Sequence, residues 1–92
     1  MSEPYGLVVA GAAARAIAKE LPESVSAAVI ELVTTRLIED PYRVGRALRN
    51  ELAGIFSARR GTYRVLYRID DERREVLVLR VDHRRDVYRP HG

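Results

Sequence analysis

Hydrophobic positions along this 92-residue chain change their period from two to helical and back to two. Positions 5–9 alternate, with Tyr5, Leu7 and Val9 set against Gly6, Val8 and Ala10, the pattern of a short strand. In the alanine-rich stretch that follows, Ala14, Ile17, Ala18 and Leu21 fall at i, i+3, i+4 and i+7, one apolar stripe along a helix. Pro22 ends that helix and suits the first turn of the next. Val25, Ala28, Val29, Leu32, Val33 and Leu37 then keep helical spacing until Asp40-Pro41 stops it. Neither helix of this hairpin can bury its stripe alone, so both need a common surface.

The second half of the chain supplies one. Positions 42–50 are polar, carry Gly45 and read as a connection. Strands are predicted at 51–59, 62–70 and 75–82, with turns at 60–61 and 71–74 short enough to require antiparallel neighbours. In the middle strand Tyr63, Val65, Tyr67 and Ile69 share the core face, and Arg64, Leu66 and Arg68 share the other. The same parity puts Leu77, Leu79 and Val81 of the last strand inward. Val76, Val78, Arg80, Asp82 and, if the strand continues that far, Arg84 then face outward. In the strand before them it places Leu52 and Phe56 inward and Ile55, Ser57 and Arg59 outward. The predicted class is α+β: an N-terminal strand, a helical hairpin and a three-stranded antiparallel meander, giving a small twisted sheet with two helices on one face. There are no internal repeats, low-complexity tracts or dividing linkers, so residues 1–92 read as one domain.

Charge sharpens this picture. The net +3 conceals three basic residues against six acids up to position 42, and thirteen arginines against seven acids from position 43 onward. Lys19 is the single lysine, so the positive field is almost wholly guanidinium, which binds phosphate in a planar, bidentate way. Strand parity alone gathers Arg59, Arg64, Arg68, Arg80 and potentially Arg84 on one surface, a face suited to a polyanion or an acidic partner. A plainer reading pairs these arginines with Asp70, Asp82 and Glu75 simply to keep the sheet soluble.

A chain of this size has no room for a deep enclosed pocket, so any site is expected to be an open groove. With no cysteine there is no disulfide framework and no thiolate metal site. No apolar run approaches the roughly 20 residues that cross a bilayer, and a soluble, cytoplasmic protein is expected. His83 and His91 are the only histidines and have no carboxylate cluster at metal-ligand spacing, and no glycine loop of nucleotide-binding type is present. Neither metal nor cofactor is therefore expected. RNA cleavage is one reaction that needs neither, because the substrate's own 2′-hydroxyl attacks the adjacent phosphorus. The protein has to hold the backbone in line, neutralise the phosphorane and move protons. Arginines suit the first two tasks. The proton carriers are His83, because imidazole titrates near neutral pH, or Tyr88, whose phenol would need adjacent arginines to lose its proton. Each also has a structural reading, Tyr88 as a packing aromatic and His83 as a turn residue.

The run Gly61-Thr62-Tyr63-Arg64-Val65-Leu66-Tyr67, followed by Leu79-Arg80-Val81-Asp82-His83-Arg84-Arg85-Asp86-Val87-Tyr88, resembles the RelE/ParE superfamily of bacterial toxins, in particular its RelE branch. The likeness extends over nearly the whole chain. It implies a ribosome-dependent endoribonuclease that cuts mRNA in the ribosomal A site and is silenced by a cognate, RelB-like antitoxin from the same operon. By that resemblance Arg64 and Arg84 hold the scissile phosphate and Tyr88, or His83 as in other branches, moves the proton; the one-sided arginine face leaves Arg59, Arg60, Arg68 and Arg80 to contact flanking RNA. An acidic amphipathic antitoxin segment would cover an open face in which Ile55, Leu66, Val76 and Val78 mix with arginines. The sequence departs from well-known RelE members where they carry two lysines, since Ile55 and Ser57 stand there. This leaves Arg59 or Arg60 to provide the charge. Two other functions share the scaffold: a ParE-like inhibitor of DNA gyrase without catalysis, and an inactive homologue that acts only within a regulatory complex.

Overall fold

In the computed structural model, which describes residues 3–83, the alternating N-terminal segment forms β1 (Gly6–Val9). Helix α1 (Gly11–Arg15) runs into a single π-helical stretch over Ala16–Glu20. This wider turn rotates the apolar stripe: Ala13 and Ala16 are buried beside Ile17 and Leu21, whereas Ala14 and Ala18 of the predicted stripe are exposed. The Ser26 hydroxyl donates 2.7 Å to the Ile17 carbonyl within that stretch. Helix α2 (Glu23–Thr34) starts after Pro22 and buries Val29, Leu32 and Val33, leaving Ala28 exposed. It breaks at Thr35, where φ is −124° and ψ is −88°. The Thr34 and Thr35 hydroxyls donate back to the Ile30 and Glu31 carbonyls at 2.7 and 2.5 Å, a side-chain competition that bends helices. Two short turns follow, α3 (Arg36–Glu39), with Leu37 fully buried, and α4 (Pro41–Val44).

The described residues form a five-stranded sheet where four strands were predicted. Residues 42–50, predicted as a connection, contain α4 and a two-residue strand β2 (Arg46–Ala47). After it come β3 (Phe56–Arg60), β4 (Tyr63–Asp70) and β5 (Glu75–His83), in the order β1-β5-β4-β3-β2. Only β1 runs parallel to its neighbour, β5. The first meander strand therefore begins at Phe56 and not at position 51. Residues 48–55 close the β2–β3 hairpin, with Asn50 and Gly54 at positive φ, 58° and 91°, which interrupts extended backbone. Leu52 sits in that loop and is 50% exposed, so its expected inward orientation does not hold.

Strand β5 also departs from the predicted alternation. Leu66 pairs with Arg80 and Tyr67 with Val78, so Leu79 has no partner on β4 and the ladder carries a bulge there. One extra residue reverses side-chain parity. Val76 and Val78, expected outside, are fully buried, and Leu77 takes an outward position beside Val8, while Val81 remains inward as predicted. The predicted core face of β4 is observed: Tyr63, Val65 and Tyr67 are buried, with Ile69 packed against them. The helices contribute Ala13, Ala16, Val29, Leu32, Val33 and Leu37 to the same core, all on one side of the sheet.

Tyr67 ties the β2 edge to this core. Its fully buried ring stacks on Phe56 at 5.5 Å, and its hydroxyl donates 2.5 Å to the Pro41 carbonyl. Gly45 lies against it so closely that an added Cβ would overlap the tyrosine ring and hydroxyl. Burial pushes the Tyr67 phenol up to about 12. Tyr42, packed edge-on against Phe56, and Tyr5 both donate to the Asp71 carboxylate, and Arg74 covers the Tyr5 ring at 4.2 Å. The Tyr42 and then the Tyr5 hydroxyl hold the Asp71 carboxyl below its usual range.

Tyr67→Phe should fold and lose about 1–2 kcal/mol in urea unfolding at neutral pH, because the Pro41 carbonyl is left without its donor. A phenol whose pKa is higher in the folded chain than in the unfolded one stabilises the fold below about pH 10, and that contribution disappears as pH rises toward 12. The gap between wild type and Tyr67→Phe should therefore narrow between pH 10 and 12. A gap that stays constant over this interval would contradict the assignment.

Candidate nucleic-acid interface

Register fixes which side chains share the face opposite the helices. One transverse row runs Arg46, Ser57, Leu66, Arg80 across β2, β3, β4 and β5, and the next runs Arg59, Arg64, Asp82. Arg68 stands farther along the same face of β4, opposite Leu77. Arg59, Arg64, Arg68 and Arg80 thus occupy one surface, as strand parity predicts. The bulge at Leu79 is required for Arg80 to be among them while Val78 stays buried.

Asp82 sits beneath two of these arginines. Its Oδ1 accepts from Arg80 Nε at 2.7 Å and its Oδ2 lies 3.3 Å from Arg64 Nη2. The Asp82 side chain is 15% exposed, against 37% for Arg64 and 68% for Arg80, so the carboxylate lies below and the guanidinium groups above. Arg64 Nε is buried without a hydrogen-bond partner. Among the described residues Arg59 and Arg68 form no ion pair within 4.0 Å. Among the described residues the plainer reading, arginines neutralised by Asp70, Asp82 and Glu75, is met by Asp82 alone. Asp70 instead accepts the Arg73 backbone N–H at 3.1 Å and shapes the β4–β5 turn. Charge on the face is therefore in excess and able to meet an anion.

Two residues of the predicted site are turned the other way. Arg60 and His83 both pair with Tyr63, whose side chain enters the core, so alternation directs them to the helix side of the sheet. His83 Nε2 lies 3.2 Å from Thr62 Oγ1, and Arg60 lines an open cleft of about 270 Å³ with Arg36, Glu39, Asp40, Arg43 and Val44. Arg84 and Tyr88 lie outside the described residues. Sequence reasoning missed Arg46, which stands directly across from Ser57, because the short β2 was hidden in a segment read as a connection. Ile55 immediately precedes β3 and is partly buried. No three His, Asp or Glu side chains gather at metal-binding spacing among the described residues, and none of the described helices is long and apolar enough to cross a membrane. A shallow arginine face of this kind can hold a phosphodiester backbone and stabilise added charge on phosphorus.

Comparison with known proteins agrees with this geometry. Residues 10–88 match the family described as the ParE toxin of a type II toxin-antitoxin system, parDE. Toxin RelG of Mycobacterium tuberculosis is 56% identical over 86 residues, covering 94% of this chain and 98% of that protein. Toxin RelE of the same organism is 43% identical, covering 94% of this chain and 88% of its own length. Among solved structures, the toxin-antitoxin complex RelBE2 from M. tuberculosis contains a chain that superposes with a TM-score of 0.85 at 55% identity, over 89% of this chain and all of that one. The isolated E. coli RelE toxin, at 20% identity, shares the fold with a TM-score of 0.71 over 86% of this chain and 83% of its own. With a matching family description across most of its length and close relatives of the same kind, this chain belongs to the RelE/ParE superfamily as a RelE-like toxin of a type II toxin-antitoxin system.

Proposed function

We propose that this toxin is a metal-independent endoribonuclease that cleaves mRNA in the ribosomal A site. The observation that carries the reading is the one-sided set of Arg59, Arg64, Arg68 and Arg80, held opposite the helices by strand register. Arg64 with Arg84 holds the scissile phosphate and neutralises the phosphorane formed when the 2′-hydroxyl attacks. Arg59, Arg68 and Arg80 contact the flanking backbone, and Arg46 supplies a cation beside Ser57. In this reading Tyr88, ionised by adjacent arginines, takes the 2′-hydroxyl proton and returns it to the 5′-oxygen as the P–O5′ bond breaks to leave a 2′,3′-cyclic phosphate, because His83 faces the helix side next to Thr62, away from the arginine surface. Arg60, on that same side, contacts RNA only where the strand passes around the end of the sheet. The cytoplasm, where programmed ribosomes are found, is the place of action.

A cognate antitoxin completes the system. The RelBE2 relative was solved as a toxin-antitoxin complex, and the arginine face here also presents Leu66 and Leu77 between its charges. An acidic amphipathic segment that folds on binding would match both features.

Cleavage of mRNA on programmed ribosomes tests the reading. Arg64→Ala and Tyr88→Phe should each slow the cut by at least about 100-fold, with His83→Ala staying within about threefold of wild type. Unchanged rates for the first two would remove them from the chemistry. Inhibition of gyrase supercoiling in place of translation would overturn the ribonuclease reading in favour of a ParE-like poison.

Salt separates the two partners. Log affinity for single-stranded RNA should fall with log salt by about 0.7 per phosphate contacted, so Arg59→Ala or Arg68→Ala should each reduce that slope by about 0.7. Antitoxin binding, partly hydrophobic, should show the shallower dependence. Equal slopes would mean that both partners are held by charge alone.

A further inference from the structure

An acidic side chain in the middle of a surface that binds a polyanion works against binding. Asp82 nevertheless lies there, turned outward by the bulge at Leu79 and least exposed of the three groups it joins. Its carboxylate takes one donor from each arginine, Nε of Arg80 and Nη2 of Arg64. A guanidinium has five donors in a fixed plane, so among the described residues both terminal amino groups of Arg80 and Nη1 of Arg64 are uncommitted. The triad keeps a net positive charge, with the orientation of its two cations constrained from below.

We propose that Asp82 is a positioning residue for RNA cleavage, holding Arg64 and Arg80 at a fixed separation so that Arg64 meets the scissile phosphate as negative charge builds on it while Arg80 grips the flanking backbone. The proposal rests on the ribonuclease reading above. Two long side chains that had to be ordered by the substrate would draw on binding interactions to do so, whereas a preset pair stabilises the transition state without reorganisation. Asp82 therefore acts on the rate of the chemical step, through the arginines, and does not touch the RNA. Its own charge makes affinity slightly weaker than an uncharged residue would. A group retained only for RNA binding would not have this sign, and one retained only for folding would leave the chemical step alone.

The test compares wild type and Asp82→Asn on programmed ribosomes under single-turnover conditions, reading the rate at saturation and the toxin concentration giving half that rate. Thermal melts confirm that both are folded at the assay temperature. The isosteric amide should lower the saturated rate by about tenfold or more, with the half-saturating concentration unchanged or lower. Single-stranded RNA binding at fixed salt should be equal or tighter. Adding Arg80→Gln to Asp82→Asn should slow the reaction no further than the more harmful single change, since both remove the same held pair. A wild type that cuts RNA while Asp82→Asn stays within about threefold of it would overturn this proposal alone. Parallel losses of rate and affinity, or a rate loss equal to the unfolded fraction, would mean a merely structural carboxylate and overturn it as well. If asparagine unfolds the chain, Asp82→Ser is read by the same criteria. A wild type that does not cut would end the ribonuclease reading, and this assignment with it.

Discussion

Because Leu79 has no partner on β4, the side chains of β5 exchange faces between Val78 and Arg80. Below the bulge Val76 and Val78 complete the core under α1 and α2, and above it Val81 continues that core while Arg80 and Asp82 face outward. An unbroken ladder could satisfy only one of these requirements. It would either put two valines into water or drive an arginine and an aspartate into the helix-covered side, and burying unpaired charge is far more costly than a single disrupted ladder position. The bulge therefore lets one nine-residue strand serve a hydrophobic core along most of its length and a charged surface at its end.

That surface depends on neighbours fixed elsewhere. The β2 edge that presents Arg46 is held by Tyr67, whose hydroxyl reaches the Pro41 carbonyl and whose ring excludes any side chain at Gly45. The β4–β5 turn is tied in turn to the start of β1 by the Tyr5 hydroxyl and to α4 by the Tyr42 hydroxyl, both on Asp71. Both ties lie at the margins and leave the middle of the open face to arginines. A protein too small to enclose a substrate can still organise a phosphate by fixing cations on a rigid sheet, since most of the catalytic advantage in phosphodiester cleavage comes from position and electrostatics.

Membership of a toxin superfamily says little by itself about how strongly a member cuts RNA, because function resides in the site and not in the fold. Here the site differs from the pattern the resemblance implies, with Ile55 and Ser57 in place of two lysines. Arg46 stands directly across the ladder from Ser57, so a cation lies beside one of these positions. Arg60, which the sequence also allowed for this purpose, is on the other side. The Asp82 triad adds a second feature that a list of arginines does not reveal, namely that two of the cations are already oriented by a carboxylate beneath them.

Much of this was legible from the chain alone. Periodicity identified β1, the helical segments, β4 and the turns beside it, and parity on β4 correctly separated Tyr63, Val65 and Tyr67 from Arg64, Leu66 and Arg68. These are local properties: a strand buried on one face has to alternate, and a helix covering it has to repeat every three or four residues. The skew of arginine toward the second half and the motif around Arg64 likewise needed no coordinates. What sequence reasoning missed depends on pairing between segments. A bulge is defined by the partner strand it fails to match, so nothing in Val76 to Asp82 by itself marks Leu79 as the extra residue. A two-residue strand such as β2 exists only because β3 is there to receive it. The faces on which Val76, Val78, Arg60 and His83 lie, and the meeting of Arg64 and Arg80 at one carboxylate, were therefore decided by the tertiary ladder, where the register of one strand is set by the burial demands of another.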